Sequence, residues 1–263
     1  MISANAKIRF EFGKNWQKYI NRSGKKNIDD AIFSLKEFLG SDDLKDKSFL
    51  DIGCGSGLFS LAANLLGATV CSFDYDYNST ICARSLMVKY SKYLDKDKWT
   101  ILQGDVLDDN FCKKLGAFDI VYAWGILHHT GNMWKAINNS CCSVKRSGFF
   151  VVAIYNKSFT SPIWKVIKYI YNISPCIIKK MLVYFFTPLI YIAKYLVTGR
   201  NPLEKERGMD FFIDVIDWLG GYPYEYATSD EIIHHIEKMG FKVLKIKKGK
   251  TPIACNEFLF QKM

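Results

Sequence analysis

The chain has 263 residues, 49% of them hydrophobic and 24% charged, which is long enough for one full core plus a small cap and too apolar for a disordered polypeptide. Thirty-six basic residues outweigh twenty-six acidic ones, giving a formal charge of +10, a balance that suits an anionic ligand, a nucleic acid or a membrane surface. The eight cysteines (54, 71, 82, 112, 141, 142, 176, 255) form no CxxC pair and no His/Cys cluster at metal-ligand spacing, and "MISANAKIRF" lacks the apolar centre of a signal peptide, so no metal is expected and a cytoplasmic compartment with free, mostly buried thiols is.

Residues 1–46 read as an appendage with two helical stretches, around "EFGKNWQKYI" and around "IDDAIFSLKEFL". Between 47 and 156, short β-rich runs alternate with helix-sized segments: "KSFLDIG", "TVCSFDYD", "KWTILQGD", "FDIVYAWG" and "GFFVVAIY", separated by helices predicted at 57–67, 77–91, about 110–116 and 132–145. Strands apolar on both faces, each followed by a helix, specify an α/β fold with a doubly wound, Rossmann-like parallel sheet. The pattern resumes over 227–263, where Thr228 or Ser229 caps a helix stopping at Gly240, followed by "FKVLKI" and "NEFLF", so seven strands are expected in all.

Residues 157–226 interrupt that pattern as a helical cap inserted after the fifth strand, with Pro175 and Pro188 cutting its apolar stretch. The longest uncharged run, Met181 to Ala193, is 13 residues, short of the roughly 18 that mark a membrane span. Residues 155–208 hold nine Lys/Arg against two Glu, a local excess of seven positive charges. A cover over the sheet, a homodimer surface and peripheral membrane contact by this basic, aromatic-rich segment all fit.

Chemistry concentrates where the first strand ends, in "SFLDIGCGSGLF". A dinucleotide site wants G-x-G-x-x-G, with pyrophosphate on the helix N-terminus. Here the glycines are Gly53, Gly55 and Gly57, Leu58 stands where the third is needed, and Asp51 precedes the turn; a carboxylate there opposes pyrophosphate and suits a cationic ligand. This E/D-x-G-x-G-x-G arrangement resembles motif I of the class I S-adenosylmethionine (SAM) methyltransferases. The resemblance implies SAM as cofactor, with S-adenosylhomocysteine as product. It further implies Asp51, Gly53, Cys54, Gly55 and Gly57 around the amino acid end of SAM, Asp74 on the ribose hydroxyls, Tyr75 against the adenine, Asp105 and Val106 near the adenine amino group, and Trp124 at the end of the fourth strand.

After that strand comes "AWGILHHTGNMWKAI", similar to the "LHH" segment of small-molecule methyltransferases such as the ubiquinone-type O-methyltransferases, and unlike the Asn/Asp-Pro-Pro-Tyr/Phe segment of amino methylases. The resemblance points away from nucleic acid and implies His129 as general base for a neutral hydroxyl, with His128 second; a loop-ordering role for one histidine and packing for the other is the structural alternative. The histidines at 234 and 235 fall in a predicted helix and read as structural or exposed. "DWLGGYPYEYA" is similar to a segment of methyltransferases in bacterial capsule, O-antigen and phosphonate pathways. There a turn at Gly220, Gly221 and Pro223 is expected to present Tyr222, Tyr224, Glu225 and Tyr226 to the acceptor, with Trp16 and Tyr19 on the opposite wall. The implied function is O-methylation of a small, phosphorylated or nucleotide-linked acceptor; an RNA methyltransferase and a non-catalytic SAM-binding or membrane-surface protein are the alternatives.

Overall fold

The computed structural model describes residues 8–10, 12, 25–199, 201–203, 211–249, 251 and 254–263. The two-sided apolar runs become a seven-stranded sheet of order β3-β2-β1-β4-β5-β7-β6, built from β1 (Ser48–Ile52), β2 (Thr69–Asp74), β3 (Trp99–Gln103), β4 (Phe118–Trp124), β5 (Val144–Tyr155), β6 (Phe241–Lys247) and β7 (Cys255–Lys262). The first five pair in parallel, whereas β7 runs antiparallel between β5 and β6.

Residue alternation along the strands divides the core into two layers. Leu50, Ile52, Val121, Ala123, Phe150 and Val152 point to one face, with Ile137, Ile232 and Phe260. Phe49, Val70, Ile120 and Val151 point to the other, with Leu61 and Ala83. Each fully buried Leu, Ile or Phe contributes about 1.5–3 kcal/mol, which is why strands apolar on both faces settle in the middle of the sheet.

The helix of the appendage, α1 (Lys25–Leu39), buries Ile28, Ala31, Leu35 and Phe38, spaced for one helical face, onto the Phe49 side of the sheet. The appendage's first expected helix lies outside the described residues. The sheet helices are α2 (Leu58–Leu65), α3 (Tyr77–Lys89), α4 (Asp109–Leu115) and α5 (Met133–Cys142). Asp76 and Asp108 cap α3 and α4 by accepting backbone N–H bonds. Of the two residues that could start the last helix, α9 (Ser229–Glu237), Thr228 does so, in a reciprocal capping box with Glu231.

The inserted segment forms α6 (Ser161–Ile173), α7 (Cys176–Thr198) and α8 (Phe211–Gly220) around a small cluster of Tyr171, Phe211, Val215 and Leu219. Two expectations are corrected here. Pro188 does not cut the segment but sits inside the continuous 23-residue α7, where the Thr187 hydroxyl donates to the Val183 carbonyl (2.6 Å) one turn back. Gly220 ends α8 instead of starting the turn, and its lack of a Cβ, which would lie 2.1 Å from the Phe10 ring, makes room for that ring.

Candidate active site

The strand order reverses between β1 and β4, and in open α/β sheets the crevice at such a reversal takes the ligand. The turn after β1 and the turn after β4 therefore meet. Gly53, Gly55 and Gly57 all adopt positive φ (68°, 53° and 78°), a region costly for any side chain with a Cβ. A Cβ on Gly53 would lie 2.5 Å from Ile126 of the β4 turn, and one on Gly57 would lie 2.8 Å from the Ala83 Cβ of α3. The glycines thus let the two turns touch and let α2 start close against α3.

Two carboxylates underlie this loop. Asp74, at the end of β2, accepts the Gly55 N–H (2.9 Å) and the Asp76 N–H (2.8 Å); burial raises its pKa to about 6 against the pull of those donors. Asp51 is buried beneath the loop and accepts the Ser60 hydroxyl (2.6 Å); burial, with Asp74 nearby, raises its pKa to about 7. Its carboxylate braces the base of the loop through α2 and adds negative charge under it. Cys54, in the turn, has its thiol pKa pushed up by burial and by both carboxylates.

A carboxyl whose folded-state pKa stands above its ordinary 3.8 stabilises the fold fully below that pH and loses the contribution as pH rises through the folded value. Neutral buried histidines act oppositely below pH 6.5, so the informative quantity is the difference between wild type and Asp51→Asn. The asparagine oxygen still accepts the Ser60 proton. Its advantage is expected to grow from about pH 4 to about pH 7 and then level off on the order of 4 kcal/mol, for a shift of about three units. Thermal melts across that range check it; parallel curves would show that Asp51 ionisation is not linked to folding.

The part of the crevice where the sequence reading expects adenine is more open. Tyr75 is exposed, and the Arg9 guanidinium lies 4.2 Å from its ring centre while donating to the Thr130 carbonyl (2.8 Å). Asp105 accepts the Leu107 N–H (2.9 Å). The side chain of Val106, expected near the adenine amino group, is instead buried in the core, and its carbonyl accepts from Asn139 of α5 (2.8 Å). Trp124, half-buried at the end of β4, packs with the core on the α1 side.

On the acceptor side the two histidines part company. His128 is 1% exposed, its ring centre 4.0 Å from that of Tyr155. Neither ring nitrogen makes a hydrogen bond of ordinary geometry; the Ala153 carbonyl lies near enough to favour protonation, but burial, with His129 and Lys168 nearby, drives the pKa well down. His128 is therefore a neutral packing residue. His129 is half-buried, and its Nδ1 lies 2.6 Å from the Pro223 carbonyl. A carbonyl only accepts, so Nδ1 carries the proton and Nε2 keeps a lone pair. Burial lowers the His129 pKa to about 3.

The segment after α8 is drawn onto these histidines, by bonds that differ from the expected display. The Glu225 N–H donates to the His128 carbonyl (3.0 Å) and its carboxylate accepts the Met133 N–H (3.1 Å) at the start of α5, so Glu225 splices the cap to the β4 turn. Tyr224 is fully buried against Tyr155 (5.1 Å), with Tyr226 packed on it (5.5 Å). Tyr222 is half-buried beside Tyr169 of α6 (5.6 Å), and its carbonyl accepts the Phe10 N–H (3.0 Å). Trp16 and Tyr19 lie outside the described residues. His235 bonds Asn138 (2.7 Å) and packs on Trp134 (4.7 Å), a structural role.

Five residues escaped the sequence reading. Arg9, Phe10 and Phe12 cross the crevice, Phe12 with its ring 5.3 Å from that of His129. Tyr155, from the end of β5, packs on both histidines. Lys168 of α6 is fully buried, donates to the Trp218 carbonyl, and lies 4.1 Å from the Trp218 ring centre and 5.0 Å from that of Tyr224. Burial lowers its pKa to about 7, against the pull of Asp217. Its period within an amphipathic helix gave no signal that one lysine of several points inward.

Known proteins agree with this geometry. A family model described as "Methyltransferase domain" matches residues 25–245. A ubiquinone biosynthesis O-methyltransferase of Pelagibacter ubique is 27% identical over 124 residues, 47% of this chain and 48% of that protein. A ribosomal protein L11 methyltransferase of Shewanella baltica is 38% identical over 81 residues, 28% of each chain; the chain thus matches about half the length, or less, of these curated relatives. The crystal structure of a magnesium protoporphyrin IX methyltransferase from Synechocystis PCC 6803, with bound S-adenosylhomocysteine, superposes over 95% of this chain and 94% of that one at TM-score 0.59 and 14% identity, a likeness of fold. With the glycine turn, the carboxylate at the end of β2 and a family match across most of its length, the chain belongs to the S-adenosylmethionine-dependent methyltransferases of the methyltransferase-domain family.

Proposed function

We propose that the chain transfers the methyl group of SAM to an oxygen of a small anionic acceptor, in a cytoplasmic setting. The observation that carries this reading is His129. Its Nε2 lone pair is available, but a pKa near 3 makes it a poor proton acceptor at neutral pH, since a general base works best with a pKa near the working pH. An acceptor oxygen that is already ionised, as on a phosphoryl, phosphoramidate or carboxylate group, needs no base. In-line alignment of oxygen, methyl and sulfur then supplies most of the rate.

Within this reading Asp74 holds the ribose and the glycine turn receives the amino acid end of SAM. Tyr222 and His129 border the acceptor, and the buried Lys168, with a pKa lowered to about 7, lies behind them. The similarity of the Trp-x-Gly-Gly-Tyr-Pro-Tyr-Glu segment supports a nucleotide-linked precursor of a bacterial surface polysaccharide as acceptor class. The outer face of the cap is where a membrane surface or a second copy of the chain would meet the enzyme.

The experiment is incubation with methyl-labelled SAM and cell extract separated into small-molecule, RNA and lipid fractions. Label in the small-molecule fraction, removable by phosphatase, supports the reading. Label in RNA alone, with the steep salt dependence of phosphate contacts, would replace it with RNA methylation, and SAM binding without transfer to any fraction would leave a non-catalytic binding protein. With an acceptor in hand, His129→Ala is expected to lower kcat less than tenfold. A loss above a hundredfold would mean a hydroxyl acceptor and a working base.

A further inference from the structure

α7 is apolar on every side. One face, with Leu182, Val183, Phe186 and Ile190, packs onto Phe211, Val215 and Leu219. The other carries Ile177 (74% exposed), Met181 (65%), Phe185 (62%), Leu189 (49%), Ile192 (53%) and Leu196 (76%), positions that recur every three or four residues and so form one stripe along the helix, with Tyr184 (85%) beside it. An 18-residue window of mean hydropathy 1.6 lies within Cys176–Val197, and none of it is buried. A helix hydrophobic all round is ordinarily covered on all sides. Beside it, α6 exposes Ile163, Val166 and Ile173, and Phe159 just before it is 94% exposed. A continuous apolar surface of this kind marks a docking site.

The charge around the stripe selects the occupant. From residue 155 to residue 203 the sequence contains seven Lys/Arg and no Asp or Glu; Lys168 is buried, and Lys157 and Lys194 pair with Glu231 of α9 and Asp214 of α8, while Lys165 and Lys180 are exposed on α6 and α7. In a two-fold dimer the same patch meets itself, so this surface would bring positive charge against positive charge with no carboxylate of its own segment to neutralise it. An anionic bilayer supplies the opposite charge and an apolar layer at once, the combination that holds basic amphipathic helices in the headgroup plane.

We propose that the outer face of α6 and α7 docks on an anionic lipid bilayer, with α7 lying in the interface. α7 is long enough to cross a bilayer, but crossing would strip its inner face from Phe211, Val215 and Leu219. Tyr169 joins this surface to the acceptor segment through its contact with Tyr222 (5.6 Å), so a docked enzyme holds the acceptor side of its crevice close to the membrane. Docking is independent of which acceptor is methylated, and its test reads no turnover.

The test is co-sedimentation of the full chain with vesicles of phosphatidylglycerol and phosphatidylcholine, and with phosphatidylcholine alone. Binding is expected to the anionic vesicles, weakening as salt is raised, and at least tenfold weaker without phosphatidylglycerol. Tyr184→Asp with Leu196→Asp should lower vesicle affinity at least tenfold and leave S-adenosylhomocysteine affinity unchanged, which serves as the control for folding. Lys165→Glu with Lys180→Glu should remove most of the salt dependence. Absence of binding to either vesicle, or unchanged binding by the Tyr184/Leu196 variant, overturns the proposal. A dimer in sedimentation velocity that the Tyr184/Leu196 substitutions turn into monomer, with vesicle binding unaffected, would assign the face to a second copy instead.

Discussion

Replacing Asp74 by alanine is expected to weaken S-adenosylhomocysteine binding about a hundredfold, measured by isothermal titration calorimetry. Asp74 stands at the carboxyl end of β2 and already holds the Gly55 N–H at 2.9 Å, so its removal takes away the proposed acceptor for the ribose hydroxyls and frees the glycine turn. Hydrogen bonds to charged groups contribute about 1.5–3 kcal/mol each, and every 1.4 kcal/mol is a factor of ten in affinity. Folding should not suffer at pH 8: burial raises the Asp74 pKa to about 6, so the ionised carboxylate costs stability there. Asp74→Asn, which keeps one acceptor, should fall between. Unchanged affinity in the alanine variant would remove Asp74 from the cofactor site.

The second large effect is expected at Gly53, and on stability. Alanine at φ 68° carries about 1–2 kcal/mol of left-handed strain. Its Cβ would also come within 2.5 Å of Ile126 Cδ1 and 2.6 Å of Cγ1, an overpacking that costs typically about 1–3 kcal/mol. Urea unfolding of Gly53→Ala should register about 2–5 kcal/mol of destabilisation. Adding Ile126→Ala should recover the overpacking share and leave the strain, a coupling that a double-mutant cycle measures. If Gly53→Ala is as stable as wild type, the turn does not hold this conformation against β4.

The sheet was legible in the chain because its signal is local. Runs such as "SFLDI" and "FDIVYAW" are apolar at successive positions, which only a strand covered on both faces explains, and glycines at single-residue spacing have few uses other than a turn of positive φ. The start of α9 was legible for the same reason, as a cap at Thr228 or Ser229, and the structure chose Thr228, in a capping box with Glu231. Pro188 misled for the converse reason. A proline is a helix breaker on local grounds, yet α7 runs through it because its inner face is anchored on α8 and a neighbouring hydroxyl bonds a carbonyl of the interrupted turn.

The acceptor side was legible only as a set of residue types. His128 and His129 are adjacent and chemically identical in sequence, and what separates them is the company each keeps: Tyr155 from β5 walls in one, while the Pro223 carbonyl, nearly a hundred positions away, sets the tautomer of the other. Glu225 read as a ligand group and is a splice between cap and core. Val106 read as an adenine contact and faces the core, because side-chain direction along a strand end depends on the turn that follows.

By itself the sequence determined the α/β sheet, the glycine turn after β1 with Asp51 and Asp74 beside it, the site of the insertion and the positive charge it carries, since each depends on neighbours a few residues apart. Tertiary structure alone decided that β7 slots antiparallel between β5 and β6, that Lys168 is the lysine turned inward, that Arg9 and Phe12 cross the crevice, and that α7 keeps one apolar face uncovered. These depend on which distant surfaces compete for burial, and that competition is settled only when the whole chain packs.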